Sequence, residues 1–253
     1  MGLALHRITE YRFIAVLTLA VTTAGCATLG GRAAEAERAE AAGIHAAAME
    51  ALDSGDFDTA LEGLKTLHHD YSATPHGERA TLAMAYTASL AGRYDRAIEW
   101  AEAYAEDGSG ADEDLEYALY LRAAAAHAQW NERNSASPDT AAARRAFGYY
   151  RDLVVRFPEG ERTEAALRKM NELRGDLASV ELRKARQSLE EGEYPEAAER
   201  AAWVAEQYRG GRHAADALVV QIEALERMGR ARDADATRRM LEILFPDHPA
   251  VRR

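Results

Sequence analysis

The sequence predicts an all-α protein made of repeated helix pairs, and three observations support this prediction. Alanine and glutamate are abundant, only six prolines occur in 253 residues, and runs of β-branched residues are scarce. That balance favours helices. A glycine followed five residues later by an alanine recurs along the chain, and an aromatic residue follows three of these glycines by two positions, as Phe57, Tyr94 and Tyr194.

The glycine-to-alanine spacing defines five units. Glycine ends a helix because it tolerates a left-handed backbone, and the next helix then starts at once. The small alanine lies one turn into the second helix, where it lets the paired helix approach closely. We expect a β-branched residue at Gly192 to be the most damaging change in this frame. The units contain Gly55 and Ala60, Gly92 and Ala97, Ala141 and Ala146, Gly192 and Ala197, and Gly229 and Ala234.

The order of helix, tight turn and helix, with small residues at the crossings, resembles the tetratricopeptide repeat, whose period is about 34 residues. Two steps between units are longer than this period and need insertions. One insertion is the polar segment 131–139, which is typical of turns. The other, residues 161–191, has no proline and has apolar residues at helical spacing. We therefore expect a tetratricopeptide-repeat solenoid of five helix-turn-helix units over residues 44–249, with an extra helix between units 3 and 4.

The only cysteine of the chain, Cys26, follows an apolar run over residues 13–24 that has a weakly basic start before it. This layout is typical of a secretory signal, and the run is too short to span a bilayer comfortably. The small residues Ala24 and Gly25 before the cysteine resemble the lipobox of bacterial lipoproteins, in which the cysteine is acylated and becomes the mature N-terminus. Thr23 stands where the lipobox usually has leucine. The alternative is an ordinary signal peptide with an incidental cysteine.

The N-terminal region is accordingly predicted to be a lipoprotein signal peptide at residues 1–25 and a tether at residues 26–43. Ala27 follows the cysteine, and the absence of the usual inner-membrane retention signal, an aspartate, points to the outer membrane. Each buried methylene of a lipid contributes about 0.8 kcal/mol, so two or three chains hold a soluble body on a membrane. The net charge of −11 disfavours nucleic acid and electrostatic binding to anionic lipid, which leaves the lipid anchor as the only membrane contact.

The sequence shows no pattern typical of catalysis or of a cofactor site. The densest group of possible metal ligands is His68, His69, Asp70 and His76. Adjacent residues on a helix point about 100° apart, so these side chains do not converge locally. The chain has no HExxH motif, no paired cysteines, no glycine-rich phosphate loop and no nucleophile elbow. We expect a scaffold with no catalytic residue, metal or cofactor.

Four large aromatic residues fall on the predicted first helices of their units. They either fill the core between repeats or line a groove for an extended peptide, to which aromatic side chains contribute contact area at low entropic cost. These residues are Tyr86, Tyr117, Tyr120 and Trp130.

Several segments resemble the BamD family, the lipoprotein partners of the β-barrel assembly machinery. That family also has five repeats, and the resemblance covers about residues 44–249. Its motifs correspond here to Asp114–Arg122, Ala146–Val154, Arg156-Phe157-Pro158, Leu177–Glu181, Arg200, Ala217-Leu218 and Met228-Gly229.

The resemblance implies a lipoprotein on the periplasmic face of the outer membrane that binds the BamA-like insertase and unfolded outer-membrane proteins. It assigns partner binding to Arg200, whose alternative role is a surface pair with Glu196. It implies that the N-terminal repeats receive these clients, and we expect Tyr86, Tyr117 and Tyr120 to line the client-peptide groove because they lie on first helices of the first three units. It leaves open whether accessory lipoproteins join. The alternative function is a general tetratricopeptide-repeat lipoprotein for pilus assembly or cell-wall synthesis.

Overall fold

The computed structural model describes residues 31–108, 110–133 and 139–252, and over these residues the chain forms eleven helices and no strand. The predicted signal peptide, Cys26 and most of the polar insertion lie outside the described residues. The helices are α1 (residues 31–53), α2 (Phe57–Asp70), α3 (Pro75–Glu78), α4 (Ala80–Leu90), α5 (Tyr94–Asp107), α6 (Asp112–Arg133), α7 (Ala141–Arg156), α8 (Thr163–Glu190), α9 (Tyr194–Gln207), α10 (Arg212–Arg227) and α11 (Ala231–Leu244). The predicted all-α class is confirmed.

The chain divides into two compact units, one ending at Arg93 and the other beginning at Tyr94. In the first unit, α1 and α2 approach closely at Gly63, where an added Cβ would lie 3.1 Å from the Cβ of Ala48. The apolar side of α2 is buried through Leu61, Leu64 and Leu67, and α4 packs against α2. Helix α1 begins at residue 31, so residues 31–43 of the predicted tether are helical.

The link from α2 to α3 is a tight turn that only glycine fits. The Thr74 hydroxyl donates to the Tyr71 carbonyl oxygen at 2.7 Å and accepts from the Gly77 amide at 3.1 Å. A Cβ at Gly77 would overlap that carbonyl oxygen and would lie 2.8 Å from the Cα of Ser72. The close approach of the two backbones thus excludes every side chain at Gly77.

In the second unit, each helix from α5 to α11 packs against the next one along the chain. The turns after α8 and α10 have glycine in the left-handed region, with φ of 82° at Gly192 and 72° at Gly229. The alanines of the predicted frame are buried here, as is Ala60 in the first unit, because the neighbouring helix covers them. The buried alanines of this unit are Ala97, Ala146, Ala197 and Ala234.

The extra helix predicted between units 3 and 4 forms part of α8, a single helix of 28 residues from Thr163 to Glu190. Trp130 of α6 is fully buried, and its Nε1 donates to Asp176 of α8 at 3.0 Å. This bond fixes the middle of α8 against α6. It also shows that Trp130 fills the core.

The turn between α7 and α8 is held by one buried carboxylate. Glu116 of α6 is 4% exposed and accepts a hydrogen bond from the Arg162 amide at 2.6 Å. The Arg162 guanidinium lies 3.7 Å from the same carboxylate and 4.6 Å from the centroid of the Tyr117 ring. Because a buried carboxylate needs such partners, Glu116 and Arg162 together set where α8 begins.

Candidate partner-binding surfaces

Arg200 lies on α9 and contacts two carboxylates. Its Nε and Nη2 atoms donate to one oxygen of Glu196 at 2.9 and 2.6 Å, and its Nη1 lies 3.9 Å from Glu181 of α8. The Glu196 contact is the helical pair that the spacing predicts. The Arg200 side chain is nevertheless 39% exposed, so part of the guanidinium is accessible from solvent.

Glu181 is the centre of a charged group, here named the Glu181 cluster, which also contains Lys184, Arg144 and Arg200. The Glu181 side chain is only 12% exposed. It lies 3.0 Å from Lys184 Nζ and 3.9 Å from Arg144 Nη2, besides the contact with Arg200. Three cations from α7, α8 and α9 thus share one carboxylate. The surface is locally cationic even with Glu196 included, although the chain as a whole is acidic.

Two aromatic side chains adjoin the Glu181 cluster. Trp203 follows Arg200 by three positions on α9, is about half exposed, and meets the Tyr208 ring edge-on at 5.7 Å. Burial raises the pKa of Tyr208, and the nearby Glu181 carboxylate raises it further, while Arg144 and Arg174 act in the opposite direction. Tyr208 therefore stays a neutral hydroxyl beside the cluster.

Sequence reasoning identified Arg200 but missed Arg144 and the central position of Glu181. Lys184 follows Glu181 by three residues, a spacing that signals a helical ion pair. Arg144 comes from a helix 37 positions earlier in the chain, and no local pattern links it to Glu181. Only the packing of α7 against α8 brings these two residues together.

The structure places two of the groove tyrosines on α6. Tyr117 and Tyr120 are both half-buried, Tyr117 beneath the Arg162 guanidinium and Tyr120 edge-on to the Tyr150 ring at 6.0 Å. Tyr150 is buried, and burial raises its pKa well above the ordinary value for tyrosine. Each of the two α6 tyrosines thus has one side on the protein and another side open to solvent.

The third groove residue, Tyr86, lies on α4 in the first unit. Its neighbours Met84, Ala85, Thr87 and Ala88 are buried, whereas Tyr86 is exposed. A helix with one large exposed aromatic residue on an otherwise covered segment offers a contact point for a partner.

The histidines of the first unit do not converge on a common point. His68 hydrogen-bonds to the Thr81 hydroxyl at 3.1 Å, and His76 stacks on His45 with 4.3 Å between ring centroids. Within the described ranges, no group of three or more histidine, cysteine, aspartate or glutamate side chains is placed to hold a metal ion. In the same ranges no helix has the length and apolar character needed to cross a membrane.

Comparison with known protein families shows to which family the chain belongs. A family model described as YfiO, outer membrane lipoprotein, matches residues 37–240, which is most of the chain. The chain belongs to the YfiO family of outer membrane lipoproteins. The predicted resemblance, outer-membrane location and lipoprotein class are thereby confirmed.

Similar proteins bear the name outer membrane protein assembly factor BamD. The relative from Neisseria meningitidis serogroup A is 25% identical over 94% of this chain and 92% of its own length. The relative from Caulobacter vibrioides is 26% identical over 92% of this chain and 75% of its own length. One from Xylella fastidiosa is 24% identical over 78% and 70%. The YfiO-family chain is thus similar to assembly factors, and the prediction of a scaffold rather than an enzyme is confirmed.

Proposed function

We propose that this protein is a lipid-anchored periplasmic scaffold of outer-membrane β-barrel assembly, which binds the insertase and unfolded outer-membrane proteins. The observation that carries the proposal is membership of the YfiO family over residues 37–240. The similarity to the BamD relatives, which are named outer membrane protein assembly factors, supports it. Co-purification from detergent extracts tests it, because a large β-barrel protein should accompany the chain. Pilus or cell-wall proteins in its place would favour the alternative function.

The proposal includes five tetratricopeptide-repeat units over residues 44–249. It is supported by the buried alanine of each unit and by the left-handed glycines at the helix turns. In this arrangement α2, α5, α7, α9 and α11 are the second helices of the five units. Their first helices are α1, α4, α6, the C-terminal half of α8, and α10.

Arg200 is proposed to bind the insertase. Its guanidinium is the partly exposed member of the Glu181 cluster on α9, and the exposed Trp203, three residues further along the same helix, adds apolar contact area. Arginine and tryptophan are enriched among the residues that contribute most to protein interfaces. A guanidinium can bind a carboxylate through two parallel hydrogen bonds, so an acidic residue of the insertase fits this position.

The Arg200→Ala variant is expected to weaken insertase binding by about 2 kcal/mol or more, since truncation leaves a carboxylate of the partner unpaired in the interface. Stability should fall by only about 0.3–0.5 kcal/mol, the value of an exposed helical pair. Titration of the purified partners measures the first effect, and thermal unfolding followed by circular dichroism measures the second.

Arg168→Ala is the matched control, because Arg168 also pairs with a glutamate four residues earlier and is exposed, but lies on α8. It should leave insertase binding unchanged. If the folded Arg200→Ala protein binds the insertase as tightly as the wild type does, Arg200 does not contribute to partner binding and only forms the helical pair with Glu196.

Unfolded outer-membrane proteins are proposed to contact Tyr86, Tyr117 and Tyr120. A photocrosslinking residue at Tyr86 should capture these clients in cells, because an exposed aromatic position gives an extended peptide contact area. The same residue at Leu167 of α8, which is also exposed, is the control. Client capture from position 167 but not from position 86 would refute the assignment of Tyr86.

A further inference from the structure

Arg144 of α7 has hydrogen-bond donors that no described residue uses. Its side chain is 64% exposed, which makes it the most exposed of the three cations around Glu181. Its Nε atom donates to the Thr140 hydroxyl at 3.1 Å. Its Nη2 atom lies 3.9 Å from Glu181, a separation too long for a hydrogen bond. Over the ranges described, both Nη groups of Arg144 therefore keep their N–H donors for an acceptor from another molecule.

Thr140 holds Arg144 in this orientation. It is the N-cap residue of α7, a position at which the threonine hydroxyl usually accepts a hydrogen bond from a helix amide. Thr140 makes no such bond, and Asp139 accepts from the Ala141 amide at 2.9 Å. The buried Thr140 hydroxyl accepts from Arg144 instead. A side chain that is held before binding loses less entropy when it binds, so this contact favours a docking role for Arg144.

Arg144 and Arg200 approach different oxygens of the same carboxylate. Arg144 Nη2 lies nearest Oε1 of Glu181, and Arg200 Nη1 lies nearest Oε2, each at 3.9 Å. The close partner of Glu181 is Lys184, whose Nζ donates to Oε1 at 3.0 Å. Both guanidinium groups thus lie beside Glu181 without a hydrogen bond to it. Because Glu181 already occupies the position between them, each guanidinium has to take a further carboxylate of its own.

The two arginines belong to one continuous surface. Both lie within 4 Å of Glu181, and Trp203 follows Arg200 by three positions on α9 and meets the Tyr208 ring edge-on at 5.7 Å. Arg144 is close enough to Tyr208 to act on its pKa, which it lowers against the larger effect of burial. Exposed arginine and tryptophan side chains side by side are typical of the residues that dominate an interface. A partner that covers Arg200 therefore also reaches Arg144.

We propose that Arg144 is a second docking residue for the insertase, which presents one carboxylate to Arg144 and another to Arg200. This inference rests on the proposed function, because it takes the insertase as the partner of Arg200. It adds a contact on α7 and states the chemistry of the partner surface, which is two acidic residues side by side. Thr140 is a positioning residue in this arrangement, since it is buried, holds Arg144 and does not itself reach the partner.

Titration of the full-length lipoprotein with the insertase, both in detergent, tests the inference. Arg144→Ala should raise the Kd roughly tenfold, and Arg144→Lys should recover only part of this loss, since lysine cannot form two parallel hydrogen bonds. Arg96→Ala is the matched control and should leave the Kd unchanged, because Arg96 is 62% exposed and pairs with a glutamate, but lies on α5. Thr140→Val removes the hydroxyl and should raise the Kd about threefold, but not in the Arg144→Ala background. An equal effect in both backgrounds would show a merely structural role for Thr140 and contradict its positioning role.

A charge exchange then separates the two carboxylates. Arg144→Glu and Arg200→Glu should each weaken binding roughly a hundredfold, and lysine at two different acidic residues of the insertase should restore one variant each. Restoration of both variants by the same insertase substitution would overturn the inference. So would a loss of self-association or of phospholipid-vesicle binding in place of insertase binding. An unchanged Kd for Arg144→Ala beside a weakened Arg200→Ala contradicts this inference alone, whereas no binding by the wild type contradicts the proposed function as well.

Discussion

Replacing Gly77 by alanine is expected to destabilise the N-terminal unit by about 3 kcal/mol, the upper part of the usual range for overpacking. The new Cβ would overlap the Tyr71 carbonyl oxygen and come within 2.8 Å of the Cα of Ser72. Both neighbours are backbone atoms, so no side-chain rotation relieves the overlap. The turn between α2 and α3 would have to open, and the two hydrogen bonds of the Thr74 hydroxyl would be lost with it.

Thermal unfolding of the purified variant measures this effect. A loss of about 3 kcal/mol corresponds to a fall of roughly 6 °C or more in Tm. Gly148→Ala is the matched control, because Gly148 lies inside α7 and an added Cβ there meets no atom within 4 Å. That variant should gain about 0.5–1 kcal/mol, since alanine is the better helix former. If the Gly77→Ala variant has the same Tm as the wild type, the turn adjusts at no cost in stability and the expected overlap is wrong.

The Cys26→Ser variant is expected to leave the membrane almost completely. Serine presents no thiol for acylation, and without buried lipid chains, each methylene of which contributes about 0.8 kcal/mol, an acidic body has no electrostatic attraction to anionic lipid. Membrane fractionation followed by immunoblotting should move the protein from the outer-membrane fraction to the soluble fraction.

Thr23→Leu serves as the companion variant, because it restores the leucine that the lipobox usually has at that position. It should remain with the outer membrane and be processed at least as well as the wild type. Outer-membrane fractionation of Cys26→Ser protein would reject acylation of Cys26 as the anchor.

The all-α class and several helix ends could be predicted because their signals are local. The glycine marks the end of one helix, and the alanine five residues later marks the place where the next helix crosses its neighbour. The structure accordingly places Gly192 in the left-handed region and buries Ala197. The extra helix, which forms part of α8, could also be predicted, since no proline interrupts residues 161–191.

The steric constraint at Gly77 could not be predicted from the frame. The spacing pointed to Gly192, but an added Cβ there meets no atom within 4 Å, so the cost is limited to backbone strain. Gly77 lies outside the frame, and its constraint comes from a turn that folds back on Tyr71. Such close approaches depend on how the backbone folds back on itself, and this produces no periodic pattern in the sequence.

The candidate docking surface was predicted in part for the same reason. The helical pair of Arg200 with Glu196 follows from a spacing of four residues, and the structure contains it. The sharing of Glu181 with Arg144 depends on the packing of α7 against α8, which residue spacing does not encode. The prediction that Arg200 binds a partner came only from the family resemblance. Residue spacing within one chain does not indicate which residues of another protein it contacts.

The uninterrupted backbone of α8 has a mechanical consequence. Its 28 residues form a rod roughly 42 Å long, with Arg162 at the N-terminal end and Glu181 near the C-terminal half. Arg162 covers Tyr117, a proposed client contact, and Glu181 faces Arg200, the proposed insertase contact. We expect such a rod to shift as one body, so a displacement at Glu181 would also change the bonds of α8 and of Arg162 to α6, which are made by Trp130 to Asp176 and by the Arg162 amide to Glu116. Arg162 and Glu181, which touch the proposed client contact and the proposed insertase contact, are therefore joined by roughly 28 Å of continuous helix.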